Sequence, residues 1–164
     1  MLTEQVKDKL ENTLATCAVH HQRMMFAYQK IKGLFPLNQI SYSELSGEQI
    51  SFADQLIYRF SKLQDLMGNK LFRLILEGLQ EDVENLPFID VLNKLEKLKI
   101  LNDTNQWLIL RETRNLVTHE YHLNVVELIE GLNELPNQTL ILSNIWQDMK
   151  TFVIKQFNII FDPK

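Results

Sequence analysis

Cysteine is nearly absent from this chain of 164 residues. A single residue, Cys17, cannot form an internal bridge, which excludes a small secreted scaffold held by disulfides. Its spacing from Leu10 and Leu14 places it on an apolar helical stripe, so a core position is expected. Glycine (5) and proline (4) are also scarce, and with 45% apolar residues a collagenous, linker or disordered protein is excluded. No run approaches the ~18 apolar residues that a membrane span requires. The first ten residues carry Glu4, Lys7, Asp8 and Lys9 and read as neither a signal nor a transit peptide. The chain is therefore expected to be soluble and cytoplasmic, with no membrane partner. Positive charge is in deficit as well: 17 Lys and Arg stand against 21 Asp and Glu, a formal charge of -4. Non-specific nucleic-acid binders usually show a broad basic surface, so any contact with nucleic acid here must be local. Glycine-rich phosphate loops, a nucleophile elbow and zinc-ligand spacings are all missing, and no metal or cofactor is expected.

What the sequence does hold is helical periodicity. Leu and Ile far outnumber Val, and Gln, Glu and Lys fill many polar positions, a composition that favours helix over strand. Val6, Leu10, Leu14, Cys17, Met24, Tyr28 and Ile31 recur mostly at three- and four-residue intervals, predicting one long helix that ends near Gly33. Residues 34 to 49, rich in Pro, Asn, Ser and Gly, read as a long connection. Ser51 with Asp54 resembles a capping box and predicts the start of a second long helix whose stripe runs from Phe52 to Leu79, with Gly68 and Gly78 as weak points. A third, shorter helix carries Phe88, Val91, Leu92, Leu95 and Leu98, and Asp103 or Thr104 can cap a fourth. Asn124 is expected to open a short helix ending at Leu135. After Pro136 and Asn137, the positions from Leu140 to Ile160 predict a long C-terminal helix. These elements describe an all-α fold in a single domain spanning 1–164, an antiparallel up-and-down bundle of four main helices plus one or two short ones.

One dozen residues is far denser in chemistry than the rest. It reads Arg111, Glu112, Thr113, Arg114, Asn115, Leu116, Val117, Thr118, His119, Glu120, Tyr121, His122. At ~100° per residue, Arg111, Arg114, Asn115, Thr118, His119, Tyr121 and His122 share an arc of roughly 160°, while Leu110, Leu116, Val117 and Leu123 fall outside it. Every helix has a polar side, and Arg with Glu at this density is commonly no more than a solvated face. A solvated face is normally built of Lys, Glu and Gln, however, whereas Arg, His, Asn and Tyr are what a site needs to hold a phosphate and move protons. Elsewhere the signals are weaker. His20 and His21 are adjacent and so ~100° apart, and with no carboxylate or Cys at ligand spacing they read as ordinary surface or partly buried residues. Trp107 and Trp146 read as core or interface anchors.

The run from Arg114 to Tyr121 resembles the R-x4-6-H-x-Y motif of HepT-type toxins in the HEPN superfamily, including the polar Asn115 straight after the arginine. Upstream, the stretch from Phe88 through Leu95, Leu98 and Leu101 to Trp107 and Arg111 is similar to that family's short helix and the entry to its motif helix. The likeness covers about residue 51 to 135. The first helix and the last match only in type. It implies a metal-independent endoribonuclease toxin of a type VII-like pair, acting as a homodimer whose motif helices meet at a composite cleft. It also implies a minimal nucleotidyltransferase antitoxin that transfers AMP to the motif tyrosine, Tyr121. The same group includes non-catalytic partners that present substrate to small nucleotidyltransferases, so that alternative stays open, as does a structural adaptor.

Under the ribonuclease reading, His119 titrates in the range needed for proton transfer, a role typically worth ~10²–10⁴-fold in rate. Arg114 cannot give up its proton and presents a rigid fork of donors suited to a phosphate. Asn115 and Tyr121 support them, Asn115 by orienting His119 and Tyr121 as a donor or as the modified hydroxyl. Arg111 and His122 are candidate RNA contacts. A two-fold interface would supply the second histidine and arginine that acid and base work on RNA require.

Overall fold

A computed structural model describes residues 2–118 and 124–161, and among them every regular element is helical. The order is α1 (Glu4–Ile31), α2 (Gln39–Ser43), α3 (Gly47–Leu66), a π turn (Met67–Leu71), α4 (Phe72–Gly78), α5 (Phe88–Lys97), α6 (Thr104–Thr118) and α7 (Val125–Phe157). No described helix is long and apolar enough to cross a membrane.

Direction follows from where the ends meet. Gly78, closing α4, faces Leu2 before α1 and Phe157 at the end of α7. At the other end of the bundle, the Asn133 side chain of α7 accepts from the Leu37 amide at 2.6 Å and donates to its carbonyl at 2.9 Å. The path α3–α4 and the helix α7 therefore both run opposite to α1. Gly131 of α7 lies under Leu116 and Val117 of α6, so α6 and α7 form an antiparallel hairpin. Leu10, Leu14, Cys17, Leu56, Phe60 and Leu63 are fully buried where α1 and α3 pack, and Leu142, Trp146 and Met149 of α7 complete the core. Burial of ~25 cal/mol per Å² of apolar surface along these stripes is the main force that assembles the bundle. Cys17 lies in this core as expected, and burial pushes its thiol up to about 12.

The structure corrects the sequence reading at three boundaries. Helix α3 begins at Gly47, because Ser46 and Gln49 form the reciprocal capping box: Gln49 N–H donates to Ser46 Oγ and Ser46 N–H to Gln49 Oε1. Gln reaches back to the cap amide where Asp54 would be too short, and Ser51 instead bonds the Gly47 carbonyl. Within the expected connection, Asn38 and Ser41 build a second such box and hold α2. Third, Asn124 does cap a helix, but that helix continues through Pro136 to Phe157. An interior proline costs ~3 kcal/mol. Here a buried stripe runs unbroken across it, with Leu132 and Leu135 on one side and Thr139 and Leu142 on the other, and that burial outweighs the missing hydrogen bond. Three residues assigned to apolar stripes, Leu98, Leu140 and Ile160, are exposed. Lys99 follows Leu98 in the left-handed region and ends α5 there.

Candidate functional site

Helix α6 presents its polar face as the projection predicts, up to Thr118. Arg111 and Asn115 are exposed, Arg114 is half-buried, and Leu110, Thr113 and Val117 are buried. The helix is fixed on both sides. Asp103 Oδ1 accepts from the Asn105 amide at its start, and the buried Thr113 hydroxyl donates to Glu134 of α7 at 3.2 Å. His119, Tyr121 and His122, the remaining expected site residues, lie outside the described residues.

Arg114 is the centre of the visible site. Its Nη2 donates to Asp65 Oδ2 of α3 at 2.8 Å, and its Nη1 lies 3.5 Å from Asn115 Oδ1. Its Nε is buried and has no partner. Asn115, expected to orient His119, thus sits against the arginine. Arg111, the candidate RNA contact, has its own partner within the chain. Its guanidinium stacks 4.9 Å above the ring of Phe88, the first residue of α5, a cation–π contact that holds the charge at the surface.

Two cavities open on either side of the Arg114–Asp65 pair. The larger, about 690 Å³, is walled chiefly by apolar residues: Leu34, Phe35 and Leu37 after α1, Ile57 of α3, and Leu128 and Leu132 of α7. The smaller, about 360 Å³, is polar and lies between α3, the π turn and α6. Gln64, Arg73, Trp107, Arg111 and Arg114 reach it. Gln64 is 2% exposed, yet neither its amide nitrogen nor its carbonyl oxygen has a hydrogen-bond partner, and the same holds for Nε1 of the fully buried Trp107. Of the seven buried, unpartnered polar side-chain atoms among the described residues, four belong to residues that line this cleft: two on Gln64 and one each on Trp107 and Arg114. A buried polar atom left without any partner costs ~1–3 kcal/mol, so these groups favour whatever polar partner can reach them.

Local sequence explains the shape of this cleft. The π turn spans Met67–Leu71, and π-bulges inside helices frequently mark functional sites. A Cβ on Gly68 would lie 3.3 Å from Trp107 Cζ2 and 3.5 Å from Phe88 Cζ, so glycine lets both rings close over the turn. Trp107 packs on Phe72 with ring centroids 4.6 Å apart. Arg73, one turn further, is spent on the loop before α5, donating to the carbonyls of Leu86 at 2.9 Å and Val83 at 3.4 Å. Sequence reasoning missed Gln64, Asp65 and Arg73. Gln64 did carry a signal: it falls four residues after Phe60 and three before Met67, on the stripe where the pattern calls for an apolar side chain.

The histidines of α1 serve packing. His20 Nδ1 meets Arg59 Nη1 at 3.0 Å and His21 Nε2 meets Ser143 Oγ at 2.8 Å, joining α1 to α3 and to α7. Burial holds both below the ordinary imidazole range, helped at His20 by Arg59 and Lys62 and at His21 by Lys150. Among the described residues, no three His, Cys, Asp or Glu side chains are grouped so as to hold a metal ion. No protein-family model, no curated protein and no solved structure matches this chain.

Proposed function

We propose that the protein is an endoribonuclease of the HepT type within the HEPN superfamily, cutting RNA without a metal ion. The observation that carries this reading is the placement of Arg114. Its guanidinium is anchored at one end by Asp65 and stands at the mouth of a polar cleft with Arg111 close by. A guanidinium oriented in advance is what stabilisation of a charged phosphorane calls for, since no reorganisation is then needed as charge develops. His119 is the proton-transfer residue, with Asn115 and Tyr121 supporting. Tyr121 is the hydroxyl that a nucleotidyltransferase antitoxin would modify with AMP, and the added negative charge would exclude RNA phosphate.

Two copies complete the site in this proposal. Val125 and Val126 at the start of α7 are 43% and 57% exposed, apolar surface close in the chain to the motif that a two-fold interface would cover. The test is incubation of the purified protein with RNA in EDTA, alongside His119→Ala and Arg114→Ala. Loss of ~10²–10⁴-fold in cleavage rate on replacing His119 is expected, with a comparable or larger loss at Arg114. Cleavage that survives both substitutions overturns the proposal. An inert protein that still forms a complex with a small nucleotidyltransferase favours the substrate-presenting role instead.

A further inference from the structure

The polar cleft of about 360 Å³ is built for something more specific than a bare phosphate. From its chemistry we infer that it is a pocket for one nucleotide unit, with the base edge on Gln64 and Trp107 at the inner end and the phosphate on Arg111 and Arg114 at the mouth. The site shares Arg114 with the nuclease reading and stands independently of it.

Three observations carry this. Gln64 is 2% exposed, lines the cleft, and has both its donor and its acceptor unpartnered. Inorganic phosphate is chiefly a set of acceptors with a single P–OH and has no planar donor–acceptor pair, whereas a nucleobase edge presents a donor beside an acceptor in one plane and matches a primary amide in two bonds. Trp107 adds a further indole N–H with no partner. Next, arginine outnumbers carboxylate around the cleft: Asp65 pairs with Arg114 at 2.8 Å but leaves its Nε unpartnered, and Arg111, 4.9 Å from the Phe88 ring centroid, adds a guanidinium that no carboxylate among the described residues offsets. Guanidinium forks are the protein groups best matched to phosphate oxygens. Finally, the volume falls at the lower end of the ~300–1,000 Å³ typical of small-molecule sites, room for one nucleotide and too little for a paired duplex. At the π turn, Gly68 leaves room for Trp107 and Phe88, both of which line the cleft.

The unit has two sources with the same chemistry, a free mononucleotide or one nucleotide of a single-stranded RNA, and the experiment separates them. The full chain is titrated calorimetrically with AMP, GMP, CMP, UMP, inorganic phosphate and a single-stranded oligonucleotide whose 2'-hydroxyls are methylated against cleavage. At least one nucleotide should bind about tenfold or more tightly than phosphate, the discrimination that one bidentate base contact provides. Gln64→Leu should reduce that nucleotide to the affinity of phosphate while leaving phosphate binding unchanged. Arg111→Ala should weaken both. Because leucine removes two orphaned atoms from a buried position, the variant should melt no lower than the parent. Gln64→Met, which keeps the side-chain length, replaces it if leucine disturbs folding. An oligonucleotide that binds more tightly than its mononucleotide and displaces it assigns the pocket to RNA, and the reverse order with displacement assigns it to free nucleotide. Equal affinity for phosphate and every nucleotide, or a base preference that persists in both Gln64 variants, overturns the inference. Nucleotide binding without RNA cleavage leaves the pocket standing and removes the nuclease, while cleavage without base preference does the opposite.

Discussion

The two cavities that meet at the Arg114–Asp65 pair share walls from α3 and α6 and differ in what their linings lack. The larger one is bordered mainly by apolar side chains of α3 and α7, and apart from the shared Arg114 Nε its buried polar groups are met: the Ser61 hydroxyl donates to the Ile57 carbonyl at 2.7 Å, and Asn133 closes both backbone groups of Leu37. The smaller one holds four buried polar atoms with no partner. Size therefore points one way and chemistry the other. An apolar hollow asks for no polar partner, whereas buried donors and acceptors without one are where a polar ligand gains most, which is the basis of the inferred nucleotide pocket.

The comparison can be broken first at its aromatic wall. Trp107→Ala empties a fully buried position packed on Phe72 and Gly68, and should lower unfolding free energy by about 3–5 kcal/mol in a urea titration. A loss below about 1 kcal/mol would mean that the wall of the polar cleft is not part of the core and that its orphaned atoms are accessible to water after all. On the apolar side, Gly131→Val would drive a Cβ to 2.8 Å from Leu116 Cβ and 3.1 Å from Val117 Cγ1, parting α6 from α7. Overpacking of this kind costs about 1–3 kcal/mol, visible as a fall in Tm. An unchanged Tm would show that the roof of the larger cavity yields freely.

The smallest effect concerns pH, away from both cavities. His21 on the α1–α7 seam is held below its ordinary value of 6.5, chiefly by burial, so the folded state prefers the neutral ring. Above pH 6.5 both states are neutral and no penalty applies. As pH falls below 6.5 the unfolded chain takes up the proton first, and stability is lost until the folded-state value is passed. His20 acts with the same sign. Melting at pH 7.5 and 5.5 should give a lower Tm in acid, with a flatter profile for His21→Gln. An identical slope in the variant would remove His21 from this account.

Helix spacing alone located most of this architecture. α1 ends where Gly33 and Pro36 require, and the polar arc of α6 faces outward through Thr118. Where a local stop signal competed with burial, burial prevailed, as Pro136 inside α7 demonstrates. The candidate site was legible only on α6. Arg111, Arg114 and Asn115 could be read together because four residues of one helix repeat a face. Gln64, Asp65 and Arg73 come from elements separated by up to 50 positions, and no periodicity links them to Arg114.

The amino-acid order by itself decided that this is a helical protein, which faces of its helices are apolar, and that one helix carries a concentrated arginine surface. Tertiary structure alone decided what that surface meets. Asp65 on Arg114, Phe88 beneath Arg111 and the unpartnered amide of Gln64 exist as contacts only once α3, α5 and α6 pack. The reason is one of range: helical periodicity is set by hydrogen bonds four residues apart, whereas charge, cation–π and burial act between side chains that only packing brings within a few ångströms.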